Sequence, residues 1–394
     1  MIKLIKSTFY KERETKQRLI SFIKKTKTLS FSTQCELFEK RFSAWQGRKY
    51  CVFFNSGSSA NLAIIQTLLN LKKLKRGDYV GFSAVTWSTN VMPLLQLGLY
   101  AIPIDINLST LNVSSRQIKL AVKQYSLKMI FLTNLLGFCD DIDAIRDLCA
   151  QKNILLVEDN CESLGSEYKG KRLGNFGIAS TSSFYVGHHM STIEGGAVCT
   201  DDEEIATMLK IVRAHGWDRN LDFAKQHQMR KQFRIHSVFY SRYTFYDLGF
   251  NLRPTEINGF IGKIQLTYLN EIIKKRQNNF FKLANELYAQ THLYYPIKFD
   301  HMSVVSNFAV PLVCKTIHIK EQLVRRCRST IEIRPIVGGD MTEQPFFYKY
   351  MKGFSHFDCP NARLVHRQGF YFGNNPEMTT NELKEILSTF TRLS

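Results

Sequence analysis

STSSFYVGHHMSTIEGG, residues 180–196, is the stretch around which this 394-residue chain is read. Thr181–Val186 is a β-prone run, two adjacent histidines follow at His188 and His189, and Glu194 leads into the pair Gly195–Gly196. The pattern predicts a strand ending in a reactive turn. Neighbouring side chains on an extended strand or turn point apart, so the two histidines are expected to meet different surroundings.

Upstream, the apolar run Tyr50–Phe54 ends in Asn55-Ser56-Gly57-Ser58-Ser59-Ala60, followed by the helix-like NLAIIQTLLNLKKL. Strand, small-residue turn and helix N-terminus bring backbone N–H groups and the helix dipole together. That arrangement suits an anion at Gly57 and Ser58, although many α/β proteins use such a turn only for tight packing. A βα rhythm continues through strand-like Tyr79–Phe82, Tyr100–Asp105, Met129–Thr133 and Ile154–Val157, with helical stretches near Val91–Leu97, Ser115–Gln124 and Ile142–Lys152. Such alternation predicts a mostly parallel sheet covered on both faces, with the site beyond the carboxyl ends of its strands. The loops there carry Asn55–Ser58, Ala84–Asn90 and Glu158–Ser163. Trp87, in the second loop, either stacks on a flat ligand or joins the core. In the third, Val157–Ser163 reads VEDNCES and sets acidic residues at the end of a buried strand. A buried carboxylate there needs a cationic or hydrogen-bonding partner, unless Asp159 simply caps a helix or turn.

Residues 1–45 read as a lysine-rich amphipathic helical lead-in with Leu19, Ile20, Phe22 and Ile23 on one buried face. After the central stretch come a helix over Asp202–Gly216, a polar and aromatic insertion at Asn220–Tyr246, and DLGFNLRPTEINGFIGKIQL. From about Tyr268 the pattern changes to a long helix and then to short strand-like runs such as Asn307–Val313, which divides the chain into a lead-in and large domain, 1–266, and a smaller domain, 267–394. Fifty-three Lys and Arg against thirty-four Asp and Glu give a formal charge of +19. The lysines are scattered over helix faces without zinc-finger or RNP-like spacing, so nucleic acid is not the expected partner. Nine cysteines lie far apart with no Cys-x-x-Cys, which argues for reduced thiols in a cytoplasmic setting and against disulfides or a metal site. No apolar run reaches the ~18 residues a membrane span needs.

The central stretch resembles the cofactor-lysine segment of the DegT/StrS-type sugar aminotransferases, a pyridoxal phosphate family, whose pattern is S-F-H-x-x-K-x-x-T-x-G-E-G-G. Ser183 and Phe184 open that motif, Glu194–Gly196 close it, and His188 stands where the family has its lysine. Asp159 matches the aspartate of the family's VEDxxxSxG segment. Gly249, Asn251, Arg253, Glu256, Gly259, Gly262 and Gln265 match G-x-N-x-R-x-T/S-E-x-x-A/G-x-x-G-x-x-Q-L. The resemblance implies an α/β, type I PLP-dependent transferase fold, with a mostly parallel central sheet flanked by helices and a smaller C-terminal α+β domain. It implies cofactor contacts from Gly57, Ser58, Trp87, Glu162 and Ser183, with Asp159 at the pyridinium nitrogen. Asn251 would reach the cofactor phosphate of a neighbouring subunit, which implies a homodimer with shared active sites.

The missing lysine redirects the chemistry. Imidazole cannot form a neutral imine with the cofactor's aldehyde, so pyridoxal or pyridoxamine 5'-phosphate is expected to be held noncovalently. Histidine, with an ordinary pKa of about 6.5 against about 10.4 for lysine, is the better free base near neutrality. His188 is therefore the expected catalytic base, and His189 is expected to be structural. The histidine form, together with HGWDRN, FYDLGFNLRPTEING and the IExRPIVxGxxTxQP pattern from Ile331, resembles the sugar 3-dehydratases. That implies a hydro-lyase removing the C3 hydroxyl of a nucleotide-linked 4-keto-6-deoxy hexose, favouring GDP-4-keto-6-deoxy-D-mannose, in colitose-type O-antigen lipopolysaccharide biosynthesis. L-glutamate would be consumed, and ammonia and 2-oxoglutarate released. The CDP-linked branch carries clustered cysteines for an iron–sulfur centre, whereas Ala214–Tyr246 contains none, so no such cluster is expected. His215, Arg219, Arg253 and Arg334 are the candidates for substrate carboxylates and diphosphate. The rival readings are a nucleotide-sugar 4-aminotransferase, with Lys169 or Lys171 doing the lysine's work, and an inactive cofactor-binding homologue.

Overall fold

The computed structural model describes residues 1–351 and 357–392. Two helices, α1 (Glu12–Lys25) and α2 (Thr33–Gln46), precede β1 (Tyr50–Phe54) and α3 (Gly57–Asn70). Alternation continues through β2 (Tyr79–Ser83), α4 (Met92–Gln96), β3 (Tyr100–Ile104), α5 (Ser115–Gln124), β4 (Leu127–Thr133), α6 (Ile142–Gln151) and β5 (Leu155–Asp159). A short hairpin, β6 (Glu167–Tyr168) and β7 (Lys171–Arg172), leads to β8 (Ala179–Ser183), β9 (Gly196–Thr200), α7 (Glu203–Arg213) and α8 (Phe223–Gln232). The 32-residue α9 (Glu256–Leu287) is followed by β10 (Tyr294–Tyr295), β11 (Met302–Val304), β12 (Ala309–Cys314), α10 (Ile317–Cys327) and β13 (Ile333–Arg334). The chain closes with α11 (Pro345–Tyr350), α12 (Pro360–Gln368), β14 (Gly369–Gly373) and α13 (Thr380–Phe390).

The main sheet runs β1-β9-β8-β5-β4-β2-β3. Its strands are buried almost throughout, and all but the Ser/Thr-rich β8 are mainly apolar, as expected where helices cover both faces. Only β9 opposes its neighbours, pairing antiparallel with both β8 and β1. The segment joining β8 to β9 therefore leaves and re-enters at one edge, the edge where β1, β2, β4 and β5 also end. A Cβ on Gly57 would lie 2.7 Å from that of Ser183, and one on Gly196 would lie 2.3 Å from the carbonyl oxygen of Ser56. Glycine lets the β1–α3 turn sit directly against the ends of β8 and β9.

The smaller antiparallel sheet, β10-β12-β14-β13, shares one apolar core with the main sheet, in which Ile130 and Phe138 belong with Phe280, Val310 and Phe372. The first residues return to this sheet. Ile2 bridges Ile331, and the Leu4 N–H donates to Glu332 Oε2 at 2.9 Å. At the β1 edge of the main sheet, Arg213 pairs with Glu39 at 2.5 Å in the interior, and both bond the backbone of Phe53. Glu256, at the start of α9, accepts from the N–H groups of Ser32, Gln34 and Cys35 and so caps α2.

Several expectations shift. β8 stops at Ser183 rather than Val186, because the His188 N–H donates to the Tyr185 carbonyl and folds the chain into a turn. α9 begins at Glu256, not near Tyr268, since Thr255 and Asn258 form a capping box there. The 1–266/267–394 division thus falls inside a continuous helix. The insertion contains α8, capped by Asp222. α1 is helical, but its expected buried face is not covered within one chain: Ile20 is 55% and Ile23 42% exposed, while Phe22 stacks on Phe260 at 4.2 Å. Among the described residues no helix is long and apolar enough to cross a membrane, and no His/Cys/Asp/Glu group could hold a metal.

Glu256→Ala leaves three N–H groups at the start of α2 without their acceptor. It is expected to destabilise the fold by about 3 kcal/mol in denaturant unfolding; a shift within experimental error would refute the capping role.

Candidate active site

The carboxyl edge of the main sheet opens into a cleft of about 420 Å³ that collects Gly57, Ser58, Trp87, Asp159, Glu162, Ser183, His188 and Arg334. Each reaches it from a strand end. Ser56 caps α3 by accepting from the Ser59 N–H, which leaves Gly57 and Ser58 as the first helical residues, beside Ser183. Trp87, 53% exposed, lines the cleft and is not a core residue.

Asp159 ends β5 and is 4% exposed. Its Oδ2 accepts from the side-chain amides of Asn61 at 3.0 Å and Asn90 at 2.7 Å, and its Oδ1 accepts from the Cys161 N–H at 2.9 Å. All three donors are neutral. Asn61 and Asn90 also line the cleft, and the sequence reading passed over both; the available signal was an amide on the buried side of an otherwise apolar helix and another closing the Trp87 loop. Glu162 is buried, and burial together with the neighbouring Asp159 charge raises its carboxyl to about 8, against the Leu136 N–H, which lowers it. It is therefore a neutral acid at pH 7.

His188 is half-buried, tilted against Phe308 at 5.2 Å and edge-on to Tyr185 at 5.9 Å. Its Nδ1 is buried without a partner. Burial lowers the imidazole to about 4; Asp159 opposes the shift and Arg276 adds to it. The ring is thus a neutral base across the physiological range. His189 points away into the interior, where Nε2 donates to the Ser306 carbonyl at 3.1 Å. Arg334 is paired with Glu332 at 2.5 Å on the cleft wall.

The remaining candidates gather elsewhere. Asn251 bridges to Ala214, and its Oδ1 accepts from Arg253 Nε at 3.0 Å. Arg219 lies 4.1 Å over Trp217 and 4.6 Å over Tyr243, and His215 packs edge-on to the same Trp217. None of these four residues lines the cleft, because the segment after α7 carries them to a separate surface. Lys169 and Lys171 sit on the β6–β7 hairpin, Lys169 paired with Asp143 at 2.6 Å. No lysine lines the cleft among the described residues.

These residues fit pyridoxal phosphate. A buried carboxylate ringed by neutral donors suits a protonated ring nitrogen. The Gly57 turn at a helix N-terminus suits a phosphate, and the exposed Trp87 face suits a flat ring.

Residues 10–391 match the DegT/DnrJ/EryC1/StrS aminotransferase family. A GDP-4-keto-6-deoxy-D-mannose 3-dehydratase of Escherichia coli O55:H7 is 35% identical over 378 residues, which span 94% of this chain and 96% of that protein. The structure of E. coli GDP-4-keto-6-deoxy-D-mannose-3-dehydratase with bound hydrated PLP has a TM-score of 0.90 at 32% identity, covering 99% of each chain. A GDP-4-keto-6-deoxymannose-3-dehydratase structure with a trapped PLP-glutamate geminal diamine has a TM-score of 0.89 at 32% identity, covering 99% of this chain and all of that one, 100%.

The two shifted groups pull stability in opposite directions with pH. His188 binds its proton less readily folded than unfolded, so its contribution is complete above the ordinary histidine value and is lost as pH falls toward about 4. Glu162 binds its proton more readily folded, so its contribution is complete below the ordinary carboxylate value and is lost as pH rises toward about 8. Glu162→Gln keeps the neutral shape and is expected to gain more stability over the wild type at pH 8 than at pH 5, read from denaturant midpoints of the apoprotein. An equal difference at both pH values would count against a protonated Glu162.

Proposed function

The chain belongs to the DegT/DnrJ/EryC1/StrS aminotransferase family, and from that premise we propose that it is a PLP- and glutamate-dependent sugar 3-dehydratase. Its substrate in this reading is GDP-4-keto-6-deoxy-D-mannose, which loses its C3 hydroxyl to leave a 4-keto-3,6-dideoxy sugar. One observation carries the reading: the cleft presents a neutral histidine, His188, and no lysine among the described residues. The full-length likeness to proteins named as GDP-4-keto-6-deoxy-D-mannose 3-dehydratases supports the choice of substrate.

When bound, the cofactor supplies an electron sink and, in its amine form, the nitrogen taken from glutamate. The chain's own residues supply position and proton movement. Asp159 would keep the ring nitrogen protonated, Gly57, Ser58 and Ser183 would hold the phosphate, Trp87 would cover the ring face, and Glu162 would meet the ring as a neutral donor. His188 takes the proton from Cα of glutamate while nitrogen is collected. At the sugar stage it takes up the proton whose loss lets the C3–O bond break. With no lysine to recapture the amine, nitrogen leaves as ammonia. The balance closes: the oxygen lost from C3 equals the oxygen gained when glutamate becomes 2-oxoglutarate and ammonia, so no external reductant enters. Arg334 meets the glutamate carboxylate or the diphosphate by exchanging Glu332 for the ligand.

The same reading makes the protein a homodimer with shared sites. Asn251, Arg253, Arg219 and His215 lie together but outside their own cleft. Beside them Val238, Phe239, Tyr240, Tyr243 and Phe245 are strongly exposed in one chain, an apolar surface of the kind subunit contacts cover. A second subunit facing this surface would take Asn251 to its cofactor phosphate and the arginines to its sugar nucleotide.

Purified protein given pyridoxal phosphate, glutamate and the GDP-sugar is expected to release one ammonia and one 2-oxoglutarate per deoxygenated product, with activity surviving chelators and needing no NADH. A product that retains the amine would replace the dehydratase reading with the aminotransferase one. His188→Asn should bind cofactor yet lose turnover, whereas His188→Lys should let borohydride lock the cofactor to the chain. Mixing His188→Asn with Asn251→Ala subunits, each inactive alone, should restore part of the activity; failure after proven subunit exchange would exclude shared sites.

A further inference from the structure

Behind the His188 turn lies a second polar layer that takes no part in the proposed chemistry. Arg276, well along α9, is 5% exposed. Its Nη2 donates to the His188 carbonyl at 3.1 Å, and its Nη1 donates to the carbonyl of Asn374, the residue after β14. Asn374 Nδ2 donates in return to the Arg276 carbonyl at 2.9 Å and to Asn307 Oδ1 at 2.6 Å. No carboxylate pairs with this guanidinium among the described ion pairs, and burial lowers it to about 9. An interior cation held only by carbonyls is costly, and an apolar side chain of similar length would fill the same volume at less cost.

His189 and Met190 are buried, but the backing behind His188 is incomplete. A chamber of about 30 Å³ lies against its back, lined by Gly187, His188, His189, Met190, Gln265 and Arg276 among others. Further along the segment Asn258 of α9 donates to the Thr192 and Glu194 carbonyls, and Met190 shares a buried cluster with Leu269; at His188 itself the main-chain tie to α9, and through Asn374 to the end of β14, is the hydrogen bond from Arg276.

We propose that Arg276 is a positioning residue for His188, clamping the catalytic turn to the end of β14 so that the imidazole is held at the cleft. This inference rests on the reading of His188 as the base. The charges around that imidazole agree with it. From α9, Arg276 opposes its protonation, and Asp159 at the end of β5 favours it. On the turn itself, His189 is kept neutral by burial. Glu194, further along the segment between β8 and β9, also lines the cleft, its carboxyl raised by burial. Beyond β5 Glu162 is protonated, at the start of β13 Glu332 and Arg334 neutralise each other, and on β14 burial keeps the Tyr371 phenol protonated. Burial is the main brake on charging of the base, and Arg276 adds to it.

Two variants test the clamp, Arg276→Gln and Arg276→Lys, with two readouts: the His188 titration followed by NMR in the apoprotein, and kcat against KM. In Arg276→Gln the His188 midpoint is expected to rise from about 4 but to stay below the ordinary histidine value, because burial, the larger cause of the shift, remains. Its kcat is expected to fall roughly 10- to 100-fold with KM little changed, the size of effect that follows from an ångström-scale misplacement of a catalytic group. Arg276→Lys keeps the charge but offers fewer donors, so it should hold the low midpoint and recover part of kcat. A folded Arg276→Gln protein with wild-type titration and wild-type kcat would overturn the proposal. If that variant does not fold, Arg276→Lys decides, and wild-type kcat there overturns it. A midpoint that moves in Arg276→Gln while the wild type turns over no sugar would support the clamp and refute the dehydratase reading.

Discussion

The carboxylate of Asp159, taken out of water at the end of β5, is the constraint to which the site is built. A buried anion needs donors, and here they come from different parts of the chain: Asn61 from the second turn of α3, Asn90 from the loop after β2, and the Cys161 N–H from its own turn. Satisfying one side chain therefore fixes the positions of three loops at the carboxyl edge. The β1–α3 turn is pinned further by its contact with β8 through Gly57. Since none of the donors is charged, the full negative charge is left to attract a cation at that point, which is the electrostatic condition for keeping a pyridine nitrogen protonated.

Around that anion, apart from the exposed carboxylate of Glu194 on the cleft lining, the titratable groups carry little free charge. Glu162 is held neutral by burial and by the neighbouring Asp159, His188 is held neutral by burial, and Arg334 is neutralised by Glu332. Two titratable groups are displaced in opposite senses, an acid that keeps its proton and a base that lacks one, which is the division of labour proton-transfer chemistry requires. The family's usual lysine would bring a cation into the same space. Histidine there changes both the covalent chemistry and the local field.

Much of the fold was legible because most of its strands are buried on both faces and read as mainly apolar runs; Tyr79–Phe82 and Met129–Thr133 lie within the observed β2 and β4. The start of α9 was not, because Gly259 and Gly262 look like punctuation in sequence, whereas in space they admit α2 at close range, with Cβ positions 2.5 Å from Cys35 N and 2.8 Å from the Phe38 ring. The α1 periodicity predicted a helix correctly but said nothing about what covers it. At the site, residues at strand ends were readable from chemistry and order along the chain. Asn61 and Asn90 were not, since an amide is informative only once its acceptor is known. Asn251, Arg219, Arg253 and His215 lie outside the cleft, a placement that residue type and order along the chain do not reveal.

The hydrogen bond from Arg276 to the His188 turn also has a consequence in time. His188 lies in the first half of the chain, but the groups that fasten it belong to α9, to Ser306 behind His189, and to Asn374 after β14. Ile2 likewise finds its backbone partner only at Ile331. During synthesis, which runs from the N-terminus at about 5–20 residues per second, the α/β layer can gather its local βα contacts early, because those close short loops. The His188 turn meets Arg276 only once α9 is made, and Arg276 gains its own anchor at Asn374 only when nearly the whole chain has left the ribosome. Catalytic competence is therefore among the last properties the nascent polypeptide acquires, well after its central sheet has the residues to form.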